Sequence, residues 1–188
     1  SALLVDKEQN IINSYSKNKL VPWCEYVPFP QLVPDFIETN LNHLNPGNKL
    51  NDFRFKNIDF ITPICSEILN PFYLHKLYSG HDLIINISNE AWFAESNASL
   101  QILQATIFRA VETRTPVVKV GNTGISGVVH QTGEVALKTK LFAGVSFPFT
   151  LELPASRKTK GNPSWFSLII IGGLVYLLIA SYRKENKE

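Results

Sequence analysis

From Trp165 to Tyr182 the chain carries no formal charge. That run limits the architecture more than any other feature. At a helical rise of about 1.5 Å per residue it is roughly 27 Å long, close to one bilayer core. Trp165 and Tyr182 flank it as interfacial aromatics do. It is apolar on every face, which predicts a transmembrane helix over 165–182 rather than an amphipathic one. A linker of Pro, Gly and basic residues (157–164) precedes it, and a basic tail (183–188) follows. Arg157, Lys158 and Lys160 on one side and Arg183, Lys184 and Lys187 on the other leave orientation open by charge alone.

The preceding residues, 1–156, have another character. Of all 188 residues 45% are hydrophobic and 18% charged, a balance that suits a packed globule. The net charge of +2 is too small to argue for nucleic acid, and no basic stripe with interleaved aromatics appears, so no nucleic-acid partner is expected. His43, His75, His81 and His130 lie apart, so neither a zinc site nor any other metal or cofactor is expected. Two cysteines, Cys24 and Cys65, make no disulfide framework. No Met occurs even at position 1. Ser1 therefore reads as the interior of a longer reading frame, and nothing there resembles a signal peptide.

Local patterns predict mixed α/β layers. Ala2–Asp6 and Ile11–Val21 read as a hairpin. Prolines at 22, 28, 30 and 34 make Trp23–Phe36 an ordered loop. Phe53–Phe55, Ile58–Ile64, Leu83–Ile87 and Pro116–Val120 read as strands. Ile125–His130 and Glu134–Lys138 flank the turn Gln131-Thr132-Gly133. Asn70–Tyr78 reads as a short helix and Ser99–Arg114 as a long one capped by Ser99. Leu100, Leu103, Ile107, Ala110 and Val111 would form its buried face, with Arg109 and Glu112 paired at i, i+3.

The chemistry centres on Cys65. In Phe60-Ile61-Thr62-Pro63-Ile64-Cys65-Ser66-Glu67 an apolar strand stops at a thiol, and an acid follows two positions later. A strand tip displays a nucleophile, although a free cysteine is also among the most buried residue types. A free thiol titrates near pH 8.5, roughly, so a nucleophilic role calls for a neighbouring cation or base. No histidine stands in a cysteine-histidine signature, which leaves Lys and Glu.

Upstream runs Tyr15-Ser16-Lys17-Asn18-Lys19-Leu20-Val21-Pro22-Trp23-Cys24-Glu25-Tyr26-Val27-Pro28. Downstream stand Asn89-Glu90-Ala91-Trp92-Phe93, Arg109-Ala110-Val111-Glu112 and Asn122-Thr123-Gly124-Ile125-Ser126. In this order, over about Ser1 to Leu153, the blocks resemble the nitrilase superfamily. More narrowly they are similar to the apolipoprotein N-acyltransferases, which add the third acyl chain to bacterial lipoproteins. The resemblance implies an α-β-β-α sandwich, here its C-terminal part, followed by one membrane helix.

It also implies a Glu-Lys-Cys site. Cys65 matches the nucleophile, which takes an acyl group from a phospholipid as a thioester. Lys17 matches the lysine that steadies the oxyanion. Glu25 and Glu67 match acids that support the site. Trp92 and Phe93 match a loop that contacts acyl chains, and Trp23 and Tyr26 lie in the block carrying Glu25. The amine of a diacylglyceryl-cysteine lipoprotein would then attack the thioester. The implied location is the bacterial inner membrane, with the site on its periplasmic side.

Residue by residue, blander roles exist. Lys17 could be a solvated strand residue, Glu25 an ordinary loop acid, Glu67 a helix cap, and Trp92 and Phe93 core aromatics. The chain also departs from the pattern. Cys24 replaces a glycine, Ser66 a tyrosine, Glu90 an aspartate, Ala94 a glycine and Ile102 a histidine. The family's general-base glutamate lies upstream of the lysine block, where this chain has only Asp6 and Glu8. Little turnover is expected from these residues alone. The alternatives are a nitrilase-type amidase or carbamoylase on small carbon-nitrogen substrates, or a truncated inactive product. A Cys24–Cys65 bridge would block catalysis, so free thiols are expected.

Overall fold

The computed structural model describes residues 1–32, 44–153 and 169–176. The chain divides into two units, Ser1–Lys158 and Thr159–Glu188. In the first, β1 (Ala2–Val5) and β2 (Ile11–Tyr15) form an antiparallel pair in which Ala2 faces Tyr15. The second sheet holds β3 (Phe53–Phe55), β4 (Ile58–Ile61), β5 (Leu83–Ser88), β6 (Val117–Gly121), β7 (Gly127–Val129) and β8 (Val135–Lys138), in that spatial order. Strands β4, β5 and β6 are parallel and the outer pairs antiparallel. Helix α1 (Pro71–Leu77) connects β4 to β5, and α2 (Ala98–Thr113) connects β5 to β6. This is a mixed α/β fold, with helical crossovers joining the parallel strands.

Two predicted strands stop early, each for a reason that bears on the site. The strand expected over Ile11–Val21 ends at Tyr15, because the amides of Asn18 and Lys19 bond to the Glu67 side chain instead of a ladder partner. The strand expected over Ile58–Ile64 ends at Ile61. Pro63 has no N–H, and the Ile64 amide also goes to Glu67. Asn70 caps α1 by accepting from Tyr73 N at 2.9 Å.

Helix α2 is rotated from its expected face. Its buried residues are Ser99, Ile102, Leu103, Thr106, Arg109 and Ala110, while Leu100 and Val111 are exposed. Inward polar groups account for the difference. Thr106 Oγ1 donates to the Ile102 carbonyl at 2.8 Å, and Ser99 Oγ accepts from Ile125 N at 2.7 Å. Ser99 is therefore committed to a neighbouring turn and does not cap the helix, whose N-cap is Asn97. Arg109 and Glu112 pair at 2.9 Å as expected.

The core joins β1, β2, both helices and the main sheet through Tyr15, Phe53, Ile61, Ile68, Leu74, Ile84, Leu103 and Val117. In the second unit residues 169–176 are helical, and every one of them is exposed. Among the described residues no helix is long and apolar enough to cross a membrane. The rest of the run over 165–182 lies outside the described residues, as do the linker 157–164 and the tail 183–188.

Candidate active site

The parallel strands β4, β5 and β6 end on one edge of the sheet. Ligands of open α/β sheets bind at that edge. Beyond β4, Ile64 pairs with Ile87 of β5, and Cys65 opens a 3-10 turn, Cys65–Leu69. Cys65 adopts a left-handed backbone with φ 52°. For a non-glycine residue this costs about 1–3 kcal/mol and persists only where surrounding bonds enforce it. Its thiol is free and half-buried.

The enforcing bonds come from Glu67, whose side chain is fully buried. Its Oε1 accepts from Asn18 N at 2.7 Å and Lys19 N at 2.9 Å. Its Oε2 accepts from Ile64 N and from the Tyr15 hydroxyl, both at 2.8 Å. One carboxylate thus fastens the residue before Cys65 to the residues after Lys17. Tyr15 spends its proton on Glu67, so Tyr73, 2.7 Å away, donates to the Tyr15 oxygen. Burial pushes the Tyr15 phenol well above its ordinary range, helped by Tyr73 and by the Glu67 charge. Burial raises Tyr73 as well. On the other side of the turn Asn86, buried mid-strand on β5, donates to the carbonyls of Pro63 at 2.9 Å and Cys65 at 3.2 Å.

Lys17 is 9% exposed and its ammonium lies 2.7 and 2.6 Å from the two oxygens of Glu25. An ammonium has three protons, so one remains for a third acceptor. Glu25 Oε2 also accepts from Val21 N at 2.7 Å. Gly47 N donates to the Lys17 carbonyl at 2.7 Å, an approach close enough that a Cβ there would press on Ser16 O. Glu25 is therefore no ordinary loop acid, and Lys17 no solvated strand residue.

The aromatic residues divide. Trp92 is 71% exposed in the turn Ala91–Phe93, while Phe93 packs against the core. Trp23 and Tyr26 are exposed on the loop that carries Glu25. Cys24, on the same loop, is exposed and free, so no bridge joins it to Cys65. Asp6 and Glu8 sit in the β1–β2 turn, at the far end of the hairpin from Lys17. There Asp6 bonds Asn10 and Glu8 pairs with Lys7. Among the described residues no group of three or more His, Cys, Asp or Glu side chains is gathered as a metal site needs.

Sequence reasoning missed Tyr15, Tyr73 and Asn86, which face inward from a strand, a helix and a strand. The one available signal for Asn86 was a polar residue at an inward position of the apolar β5. It also missed a buried ion pair between Glu90 and Lys119.

The fold is that of the nitrilase superfamily. The structure superposes on Saccharomyces cerevisiae Nit3 with a TM-score of 0.54 at 18% identity, covering 73% of this chain and 47% of that one. It superposes on an amidase from Nesterenkonia with a TM-score of 0.53 at 17% identity, covering 74% and 50%. The carbon-nitrogen hydrolase family matches residues 1–147, and the chain belongs to it. Among curated proteins it is 30% identical to apolipoprotein N-acyltransferase 2 of Treponema denticola, over 99% of this chain and 38% of that protein. It is 34% identical to the apolipoprotein N-acyltransferase of Aquifex aeolicus, over 69% and 29%. The chain thus spans well under half the length of these relatives.

Proposed function

We propose that this chain carries the nucleophilic part of an apolipoprotein N-acyltransferase. Cys65 Sγ attacks an acyl ester of a phospholipid and forms a thioester, and the lysophospholipid alcohol leaves with a proton. The amine of a diacylglyceryl-cysteine lipoprotein then attacks the thioester, forming the amide and restoring the thiol. Lys17 offers its third N–H to the oxyanion of each tetrahedral intermediate. Glu25 aims the ammonium, and Glu67 positions both Lys17 and Cys65.

The observation that carries this reading is the single Glu67 carboxylate bonded to both segments, at Ile64 N and at Asn18 N and Lys19 N. The similarity to curated acyltransferases supports the lipid substrates, and exposed Trp92, Trp23 and Tyr26 suit acyl chains. The charge-free run 165–182, helical over 169–176, supports anchorage in a bacterial inner membrane with the site on the periplasmic side.

The step also needs a proton acceptor. Asp6 and Glu8 are engaged at the far end of the hairpin, so these residues alone should give little turnover. The test is peptide mass spectrometry of the protein as its cell produces it, after incubation with phospholipid vesicles. A hydroxylamine-labile acyl group on Cys65, absent in Lys17→Met, is the expected result. Acylation that persists in Cys65→Ala would overturn the assignment. Hydrolysis of small amides with no acyl adduct from phospholipid would favour the amidase alternative.

A further inference from the structure

A second buried carboxylate, Glu90, stands immediately before the turn that carries Trp92. Glu90 and Lys119 are each 1% exposed. The Lys119 ammonium donates to Glu90 Oε1 and, at 2.6 Å, to the Ile125 carbonyl. Glu90 N donates to Asn122 Oδ1 at 2.9 Å. Asn122 returns two bonds, from its amide N to the Ser88 carbonyl and from Nδ2 to Asn89 Oδ1. The turn after β5, which runs into Ala91–Phe93, is thereby tied to the turn after β6, Asn122–Ser126.

Desolvation cancels much of a buried pair's attraction, so its net stabilising effect is small and a positional role accounts better for its presence. The fit is also length-specific. A Cβ on Gly124 would overlap Glu90 Oε2 and stand 2.8 Å from Ser99 Oγ, and one on Gly121 would stand 3.1 Å from Glu90 Oε1. Glu90 Oε2 has no hydrogen-bond partner among the described residues. It bears on the floor of the Asn122–Ser126 turn instead.

We infer that the Glu90–Lys119 pair is a positioning device for acyl-chain selection. It sets the height of the Trp92 turn over the Cys65 edge without touching substrate. Lengthening or shortening the pair moves Trp92 and so changes which chains the rim accepts, while Cys65 keeps its own support from Glu67. The inference rests on the reading of Trp92 as an acyl-chain contact.

The test uses the full chain labelled with 5-fluorotryptophan, the Trp92 resonance being assigned with Trp92→Phe. Cys65 is alkylated in parallel by iodoacetamide and by N-octyl iodoacetamide. In Glu90→Gln the Trp92 resonance should move, and the preference for the octyl reagent should fall about tenfold while iodoacetamide reacts within about twofold of the unaltered rate. Glu90→Asp combined with Lys119→Arg trades length between the partners and should restore the preference to within about threefold. An unmoved resonance with an unchanged preference overturns the inference. So does a double variant that fails to restore a preference lost in Glu90→Gln. Should Glu90→Gln fail to fold, Glu90→Asp decides by the same two readouts. No octyl preference in the unaltered protein would sink the acyl-chain reading of Trp92, and the resonance would then judge the pair separately.

Discussion

Two buried glutamates stand at the same edge of the sheet and are held in opposite ways. Glu67 is surrounded by neutral donors: three backbone amides and a tyrosine hydroxyl satisfy both its oxygens. Glu90 faces a full charge, Lys119, on one oxygen and leaves the other without a partner. The first arrangement distributes one charge over separate chain segments, so it fixes backbone, including the strained turn at Cys65. The second concentrates attraction in one contact whose reach sets a loop. On the proposed reading Glu67 therefore governs reactivity at Cys65, and the Glu90–Lys119 pair governs the rim.

The largest expected effect breaks the second arrangement. Lys119→Met strands a buried carboxylate and should cost about 3–5 kcal/mol in urea unfolding. Alkylation of Cys65 in the folded fraction should nevertheless stay near the unaltered rate. Glu67→Gln should cost about 2–4 kcal/mol, because an amide cannot accept from all four donors. Unlike Lys119→Met, it should also slow Cys65 alkylation about tenfold. Equal effects of the two variants on alkylation would erase the distinction. Asn86→Leu releases the Pro63 and Cys65 carbonyls and should cost about 1–2 kcal/mol with a smaller loss of alkylation.

The smallest effect concerns pH. The folded state holds the Tyr15 phenol protonated beyond its ordinary value of 10.0, chiefly through burial. Its contribution is therefore complete below pH 10 and is lost as pH rises further. Tyr15→Phe should flatten the alkaline limb of the stability profile measured by urea unfolding.

The strand and helix order was legible because apolar runs and turn residues alternate cleanly from Ala2 to Lys138. The face of α2 was not, because Ser99 turns inward to Ile125 N, a partner that only the fold supplies, and Thr106 is buried with its hydroxyl satisfied by the Ile102 carbonyl of its own helix. Cys65, Lys17, Glu25 and Glu67 could be named from ordered motifs; in the structure Lys17 bonds Glu25, and Glu67 bonds the backbone beside Lys17 and beside Cys65. The reach of Glu67 across the fold could not be read, since its acceptors bond backbone amides, which sequence does not distinguish. Glu90 was visible only as a departure from the motif. Its partner Lys119 looked like any polar residue in a strand, and its burial follows from that pairing.

Competitive labelling of the two thiols decides whether Glu67 and Lys17 act on Cys65. Cys24 is exposed and Cys65 half-buried, so accessibility alone favours Cys24. Iodoacetamide should label Cys65 faster, by about tenfold, and Glu67→Gln and Lys17→Met should each remove the advantage. Cys65 labelled more slowly than Cys24, at a rate neither substitution alters, would strip Glu67 and Lys17 of any role in its reactivity.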